Sequence, residues 1–146
     1  MRPRWASGKY NLKYPDKYVG LKTPHYRSSW EQVFMRFCDE NPSVVKWASE
    51  SIKIPYQSPL TGKHTVYVPD FFIQYTNKNG QSMSELIEIK PKRQTRILAA
   101  EKGQSIKAAT ILNQAKWEAA GRWCKQKGIK FRVITEDDIF HNPKRR

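Results

Sequence analysis

The hydrophobic texture of the chain changes twice, at about residue 44 and about residue 91, and this pattern dictates a mixed fold. Before the first change, Trp30, Val33, Phe34, Phe37 and Cys38 recur at steps of three and four, the stripe of an amphipathic helix with one buried face. That helix begins at Ser28, and Asn41-Pro42 stops it, because the proline ring disfavours helical geometry in the residue before it. Between the two changes the runs are short and β-rich: residues 52–55, 64–68, 71–75 and 85–89. Pro59-Leu60-Thr61-Gly62 and Asn77-Lys78-Asn79-Gly80 separate them with turn chemistry, so the region reads as an antiparallel meander. After Pro91 the helical pattern returns, in a short segment at 95–102 and a longer one at 105–127 that Gly128 is placed to end. Ile106, Ala109, Asn113, Trp117, Ala120 and Cys124 give the long helix its inward face. A last strand at 130–134 runs into the capped turn Thr135-Glu136-Asp137-Asp138. The order of helix, strands, helices and strand makes the expected class mixed α/β.

A chain of 146 residues suits one domain around one core. Its 27 lysines and arginines against 13 carboxylates give a formal charge of +14, which calls for a polyanionic partner, nucleic acid first. Hydrophobic content of 38% excludes a disordered polycation. No apolar run approaches the roughly 20 residues of a membrane span, and MRPRWASGKY lacks the apolar stretch of a secretion signal, so a soluble, intracellular protein is expected. Cys38, Cys124, His25, His64 and His141 are scattered, without the paired spacing of a zinc site.

The charge is unevenly spread. Residues 1–27 hold seven cations against Asp16 alone, and are expected to form a basic arm preceding a domain at 28–140 and a basic tail at 141–146. Tyr10, Tyr14, Tyr18 and Tyr26 alternate with Pro3, Pro15 and Pro24, which interrupt helix and leave the rings to pack on the domain or stack on bases.

Two short strings carry the chemistry, Val68-Pro69-Asp70-Phe71-Phe72 and Leu86-Ile87-Glu88-Ile89-Lys90. Along a strand, Glu88 and Lys90 share one face while Ile87 and Ile89 take the other. Asp70 heads an apolar run, where a carboxylate is costly unless something satisfies it. A divalent cation would do so: hard Mg²⁺ takes carboxylate and water oxygens, offsets charge on a phosphoryl transition state and acidifies the attacking water.

Pro69-Asp70 followed by Glu88-Ile89-Lys90 resembles the PD-(D/E)xK nuclease motif. The order of elements around it looks like the endonuclease subunit of TnsA-type transposases. YRSSWE, NPSVVKW, YVPDFF and EIKPK together resemble the head-completion nucleases of T-even-type bacteriophages, over roughly residues 10–140. The resemblance implies a restriction-endonuclease-like α/β core with a central mixed β-sheet flanked by helices, and a metal-dependent DNA endonuclease acting during or after phage head filling. Asp70 and Glu88 would be ligands of Mg²⁺ or Mn²⁺, Lys90 the motif lysine and Glu31 a further, helix-borne metal carboxylate. TnsA-type proteins have glutamine where Glu88 stands, a departure toward the general nuclease pattern.

Each role has a plainer counterpart. Ser28-x-x-Glu31 is also a capping box, and Asp70, Glu88 and Lys90 could be a surface ion pair beside a turn. Lys92, Arg93 and Arg96 follow the motif directly and, with Arg27, are candidates for phosphate contacts. Gln114 and Lys116 could orient a water or meet a phosphate, or form an ordinary polar helix face. The expected partners are DNA and a portal or neck protein of the capsid, with no membrane, and the expected location is the host cytoplasm or the virion. The alternative function is a non-catalytic DNA-binding or structural virion protein on a nuclease-like sheet; no dimer surface is legible.

Overall fold

A computed structural model describes residues 7–91 and 104–140. Helix α1 (Ser29–Glu40) starts where Ser28 Oγ accepts the Glu31 N–H at 3.2 Å, and it ends at Asn41. Strands β3 (Val44–Ser49), β6 (Phe71–Thr76), β7 (Ser82–Ile89) and β8 (Lys130–Ile134) then build the central sheet in the order β3-β6-β7-β8. The first two pairings are antiparallel and β7–β8 is parallel, so the sheet is mixed as expected. Helix α2 (Gln104–Lys127) lies between the two parallel strands in sequence, and the short α3 (Glu136–Phe140) follows β8.

The period-2 alternation divides the core between the sheet's two faces. On one, Phe34, Met35 and Cys38 of α1 pack against Trp47, Phe71, Ile73, Ile87 and Ile89. On the other, Ala119, Ala120 and Cys124 of α2 meet Leu86, Ile54 and Tyr67. Both cysteines are buried and free, as core fillers should be.

The strand pattern departs from the sequence reading in two places. Residues 44–49 form an edge strand that the alternation did not reveal. A register shift between Val44 and Lys46 breaks its period, leaving Val45 and Lys46 exposed and Trp47, Ala48 and Ser49 buried in succession. Nor is the region one continuous meander. Strands β4 (Ile54–Gln57) and β5 (His64–Tyr67) pair only with each other, as a hairpin looped out between β3 and β6. The helix expected at 95–102 and the tail at 141–146 lie outside the described residues.

The amino-terminal segment is laid over the core, so its boundary at residue 28 is one of composition and not of packing. Strands β1 (Gly8–Lys9) and β2 (His25–Tyr26) pair, and a 3-10 turn at Pro15–Lys17 sits between them. Asp39, fully buried on α1, holds the segment: it accepts from the Tyr10 hydroxyl at 2.9 Å, Lys13 N at 2.7 Å and Tyr14 N at 3.0 Å. The Lys17 ammonium donates to the carbonyls of Asp39 and Asn41 at the end of α1, where a cation complements the helix dipole. Tyr10 and Tyr18 pack edge-on against Trp47. These two rings are therefore committed to the core and not free to stack on bases, whereas Tyr14 remains half-exposed.

Asp39→Ala should lower stability by about 1–3 kcal/mol, because it removes a buried acceptor and leaves a half-buried hydroxyl and two N–H groups without the carboxylate they now donate to. Urea unfolding measures the loss, and tryptic cleavage at Lys13 and Lys17 should accelerate with it. A loss under about 0.5 kcal/mol, the range of ordinary surface changes, with no new cleavage would contradict this anchoring.

Candidate active site

The β6–β7 ladder runs from Thr76–Ser82 to Phe71–Ile87. Beyond its last pair, the Ile89 N–H donates to Asp70 Oδ2 at 2.8 Å, a carboxylate taking a donor that would otherwise lack a partner. The Asp70 carbonyl in turn accepts from Glu50 N at 2.9 Å, so Asp70 is pinned between β3 and β7 at one end of the sheet. Glu88 projects from β7 on the α2 face, beside Leu86 and opposite Ile87 and Ile89, as the alternation requires.

Glu88 is largely buried, its side chain 12% exposed, and its two oxygens have different partners. Oε1 accepts from the Tyr67 hydroxyl at 2.7 Å, while Oε2 lies 4.0 Å from the Lys90 ammonium. Lys90 is itself placed by its backbone, whose N–H donates to the Ile134 carbonyl at 2.9 Å. Burial, followed by the charge of Glu88, keeps the Tyr67 phenol protonated as a donor well above the ordinary range. From α2, Lys116 sits 5.8 Å from the Tyr67 ring centroid and favours the ionised form of Glu88.

Both central carboxylates are pushed above their usual range. For Asp70 the causes are burial and then the charge of Glu88, opposed by the Ile89 N–H. For Glu88 the cause is burial, opposed by the Tyr67 hydroxyl and the Lys90 ammonium. Two desolvated carboxylates that stay above their usual range despite Lys90 and Lys116 are short of countercharge, and a hard divalent cation is a species that such an oxygen pair could hold. Among the described residues, no three acidic, histidine or cysteine side chains already converge on one point as a metal cage. Water oxygens would therefore complete the coordination of a cation on Asp70 and Glu88.

Glu31 reaches this group from α1. Its Oε1 accepts from Arg27 N at 2.8 Å, one residue upstream of the bond a capping box would use, and its charge acts on Asp70. Burial raises its own pKa despite the Arg27 contact. Arg27 stands at the rim, with its guanidinium on Glu50. Gln114 is exposed on α2, without a hydrogen bond to Asp70 or Glu88. Lys92, Arg93 and Arg96 lie outside the described residues.

Glu50 is the residue that sequence reasoning missed. Burial pushes its carboxyl up, but Arg27 and then Lys22, at 3.1 Å, outweigh burial and hold it below the usual range. Its φ of 47° is unusual for a residue with a side chain, and such a conformation costs on the order of 1 kcal/mol. No local signal marks it: only the antiparallel pairing of Ser49 with Phe71 brings it beside Asp70.

The raised pKa values of Asp70 and Glu88 mean that the folded chain binds their protons more tightly than the unfolded one. The penalty is absent at pH below the unfolded carboxylate range and grows as pH rises through the folded values. Without divalent cation, Asp70→Asn should melt a few degrees above wild type at neutral pH, and the gap should close on acidification. Parallel melts across pH read this directly; an equal or lower melting temperature at neutral pH would show that the pair is not electrostatically frustrated.

Residues 41–136 match the family of TnsA-like endonuclease N-terminal domains. The chain is also similar to the head completion nuclease of Enterobacteria phage T4, 37% identical over 143 residues that cover 91% of this chain and 93% of that protein. The family match contains Glu50, Tyr67, Asp70, Glu88, Lys90 and Lys116, while Glu31 precedes it.

Proposed function

Because this chain belongs to the TnsA-like endonuclease family, we propose that Asp70, Glu88 and Lys90 form the Mg²⁺-dependent centre of a nuclease that hydrolyses DNA phosphodiester bonds in bacteriophage head completion. The supporting observation is the buried pair of Asp70, which accepts from the Ile89 N–H at the end of the β6–β7 ladder, and Glu88, the residue before Ile89, with the Lys90 ammonium 4.0 Å from Glu88 Oε2. Mg²⁺ or Mn²⁺ bound there would supply countercharge for the phosphoryl group and acidify water. The chain's own side chains do the rest. Tyr67 fixes Oε1 of Glu88 and leaves Oε2 toward Lys90. The Lys90 ammonium is placed to donate to an attacking water or to a non-bridging phosphate oxygen. Glu31 acts on the pair from α1 through its charge, without converging on the same point, and Arg27, Lys116, Lys92, Arg93 and Arg96 are the proposed phosphate contacts, with Gln114 two residues before Lys116 on α2.

The setting follows from the T4 relative, whose name places it in head completion. The protein acts in the infected host, with the virion as its second location and a portal or neck protein as its second partner. No helix among the described residues is long and apolar enough to cross a membrane. Against the non-catalytic alternative speaks the motif itself, in which both carboxylates and the lysine are retained.

Purified protein should cut linear, branched or supercoiled DNA in Mg²⁺ and fail in EDTA. Asp70→Ala and Glu88→Ala should each lose about 100-fold or more in rate, the order seen when one electrostatic contact to a transition state is removed. Lys90→Ala should lose turnover while holding DNA affinity near wild type at fixed salt, since many other cations contact phosphate. Cleavage that survives either carboxylate change would refute the assignment, and inertness of the wild type on every substrate would favour a structural role.

A further inference from the structure

Among the described residues, the hairpin of β4 and β5 pairs with no other strand. His64, Thr65 and Val66 of β5 are exposed, and only its last residue, Tyr67, turns inward, opposite the buried Ile54 of β4. Tyr67 is 5% exposed. Its ring lies edge-on to Phe131 of β8, with 6.4 Å between centroids, and the Lys116 ammonium of α2 stands 5.8 Å from its own centroid. From Tyr67 the chain passes through Val68 and the fully buried Pro69 to Asp70, so one short segment meets two successive residues of β7. The Tyr67 hydroxyl donates to Glu88 Oε1 at 2.7 Å, and Asp70 accepts from the Ile89 N–H at 2.8 Å.

A buried tyrosine needs a partner for its hydroxyl, and any acceptor would satisfy it. Here the acceptor is a carboxylate of the cleavage centre, and a phenol, protonated at neutral pH, gives that carboxylate a short charge-assisted bond. The consequence lies in what Glu88 has left to offer. A carboxylate can give a divalent cation one oxygen or both, and Mg²⁺ held by one or two carboxylates keeps several waters. With Oε1 taken by Tyr67, the free oxygen of Glu88 is Oε2, the one 4.0 Å from the Lys90 ammonium. A second oxygen from Glu88 would displace a water from the very region in which hydrolysis needs one.

Resting on the nuclease reading above, we infer that Tyr67 is a positioning residue of the centre: its hydroxyl reserves Oε1 of Glu88, so that Glu88 presents a cation with the single oxygen Oε2 and a water keeps its place beside Lys90. Tyr67 acts through Glu88 and takes no part in bond breaking. The β4–β5 hairpin is the element that brings it there.

The test compares Y67F, which keeps the ring in its packing and loses only the hydroxyl, with Y75F. The second variant loses the same kind of bond, from the Tyr75 hydroxyl to the buried Glu85, on the α1 face of the sheet. Both should melt somewhat below wild type, and the measurements are made on the full chain below those transitions. Without DNA, Mn²⁺ should bind Y67F at least as tightly as wild type, while water-proton relaxation should show fewer exchangeable waters on each bound ion, because Glu88 can then close with both oxygens. With DNA, kcat of Y67F should fall about 10–100-fold, the usual cost of removing the partner behind a metal ligand, with KM little changed. Y75F should match wild type in all three readings. If Y67F behaves as Y75F does, the hydroxyl is only structural, and the inference falls while the nuclease reading stands. Weaker Mn²⁺ binding in Y67F, with turnover restored at saturating Mn²⁺, would make the hydroxyl a support for affinity and overturns the inference as well. A wild-type chain that binds no Mn²⁺ and cuts no DNA overturns both.

Discussion

At the end of the β6–β7 ladder the next donor on β7 is the Ile89 N–H, and what meets it is the carboxylate of Asp70 where a carbonyl would have continued the sheet. One hydrogen bond thus ends a regular structure and begins a site. Because Asp70 is held to the backbone of Ile89, it cannot move away from Glu88, the residue before. The register of β6 against β7 is fixed by alternating burial of Phe71, Ile73, Ile87 and Ile89, since a slip by one residue would turn this whole set toward the other face. The distance between two carboxylates is therefore a property of the hydrophobic core. Their mutual repulsion and desolvation are what a divalent cation would relieve.

Around this pair the protein arranges charge in layers. The inner layer is acidic and buried, with Lys90 and Lys116 approaching Glu88 from β7 and α2. Glu50 forms a second layer, kept ionised by Arg27 and Lys22. Arg27 serves twice, since its guanidinium holds Glu50 and its backbone N–H meets Glu31. Glu31 accepts from the backbone of Arg27 just before α1, and its charge acts on Asp70. In a chain of net charge +14, this cluster of carboxylates is a local reversal of sign.

The parts of this arrangement that were legible share a property: each is encoded within a few residues. Glu88 and Lys90 alternate with Ile87 and Ile89, and α1 and α2 display their stripes openly. Strand β3 was hidden because its register shift destroys the alternation that marks a strand. Glu50 was hidden because its closeness to Asp70 arises only when β3 and β6 pair across more than twenty residues of hairpin and loop. For the amino-terminal segment, composition left open whether the rings pack on the domain or stack on bases. Asp39, lying on the helix after it, supplies the buried acceptor that draws Tyr10, Lys13 and Tyr14 onto the domain. A sequence shows the charges, and the pairing of distant segments decides which are spent on the fold.

The central claim is that Asp70 and Glu88 together are a divalent-cation site. Calorimetric titration of Mn²⁺ into the full chain at neutral pH, without DNA, addresses it with no dependence on substrate. Saturable binding is expected in the wild type, with near-complete loss in Asp70→Asn/Glu88→Gln, a change that preserves size and acceptor oxygens but removes both charges. Binding of equal strength in that double variant, or none in the wild type, would contradict the account.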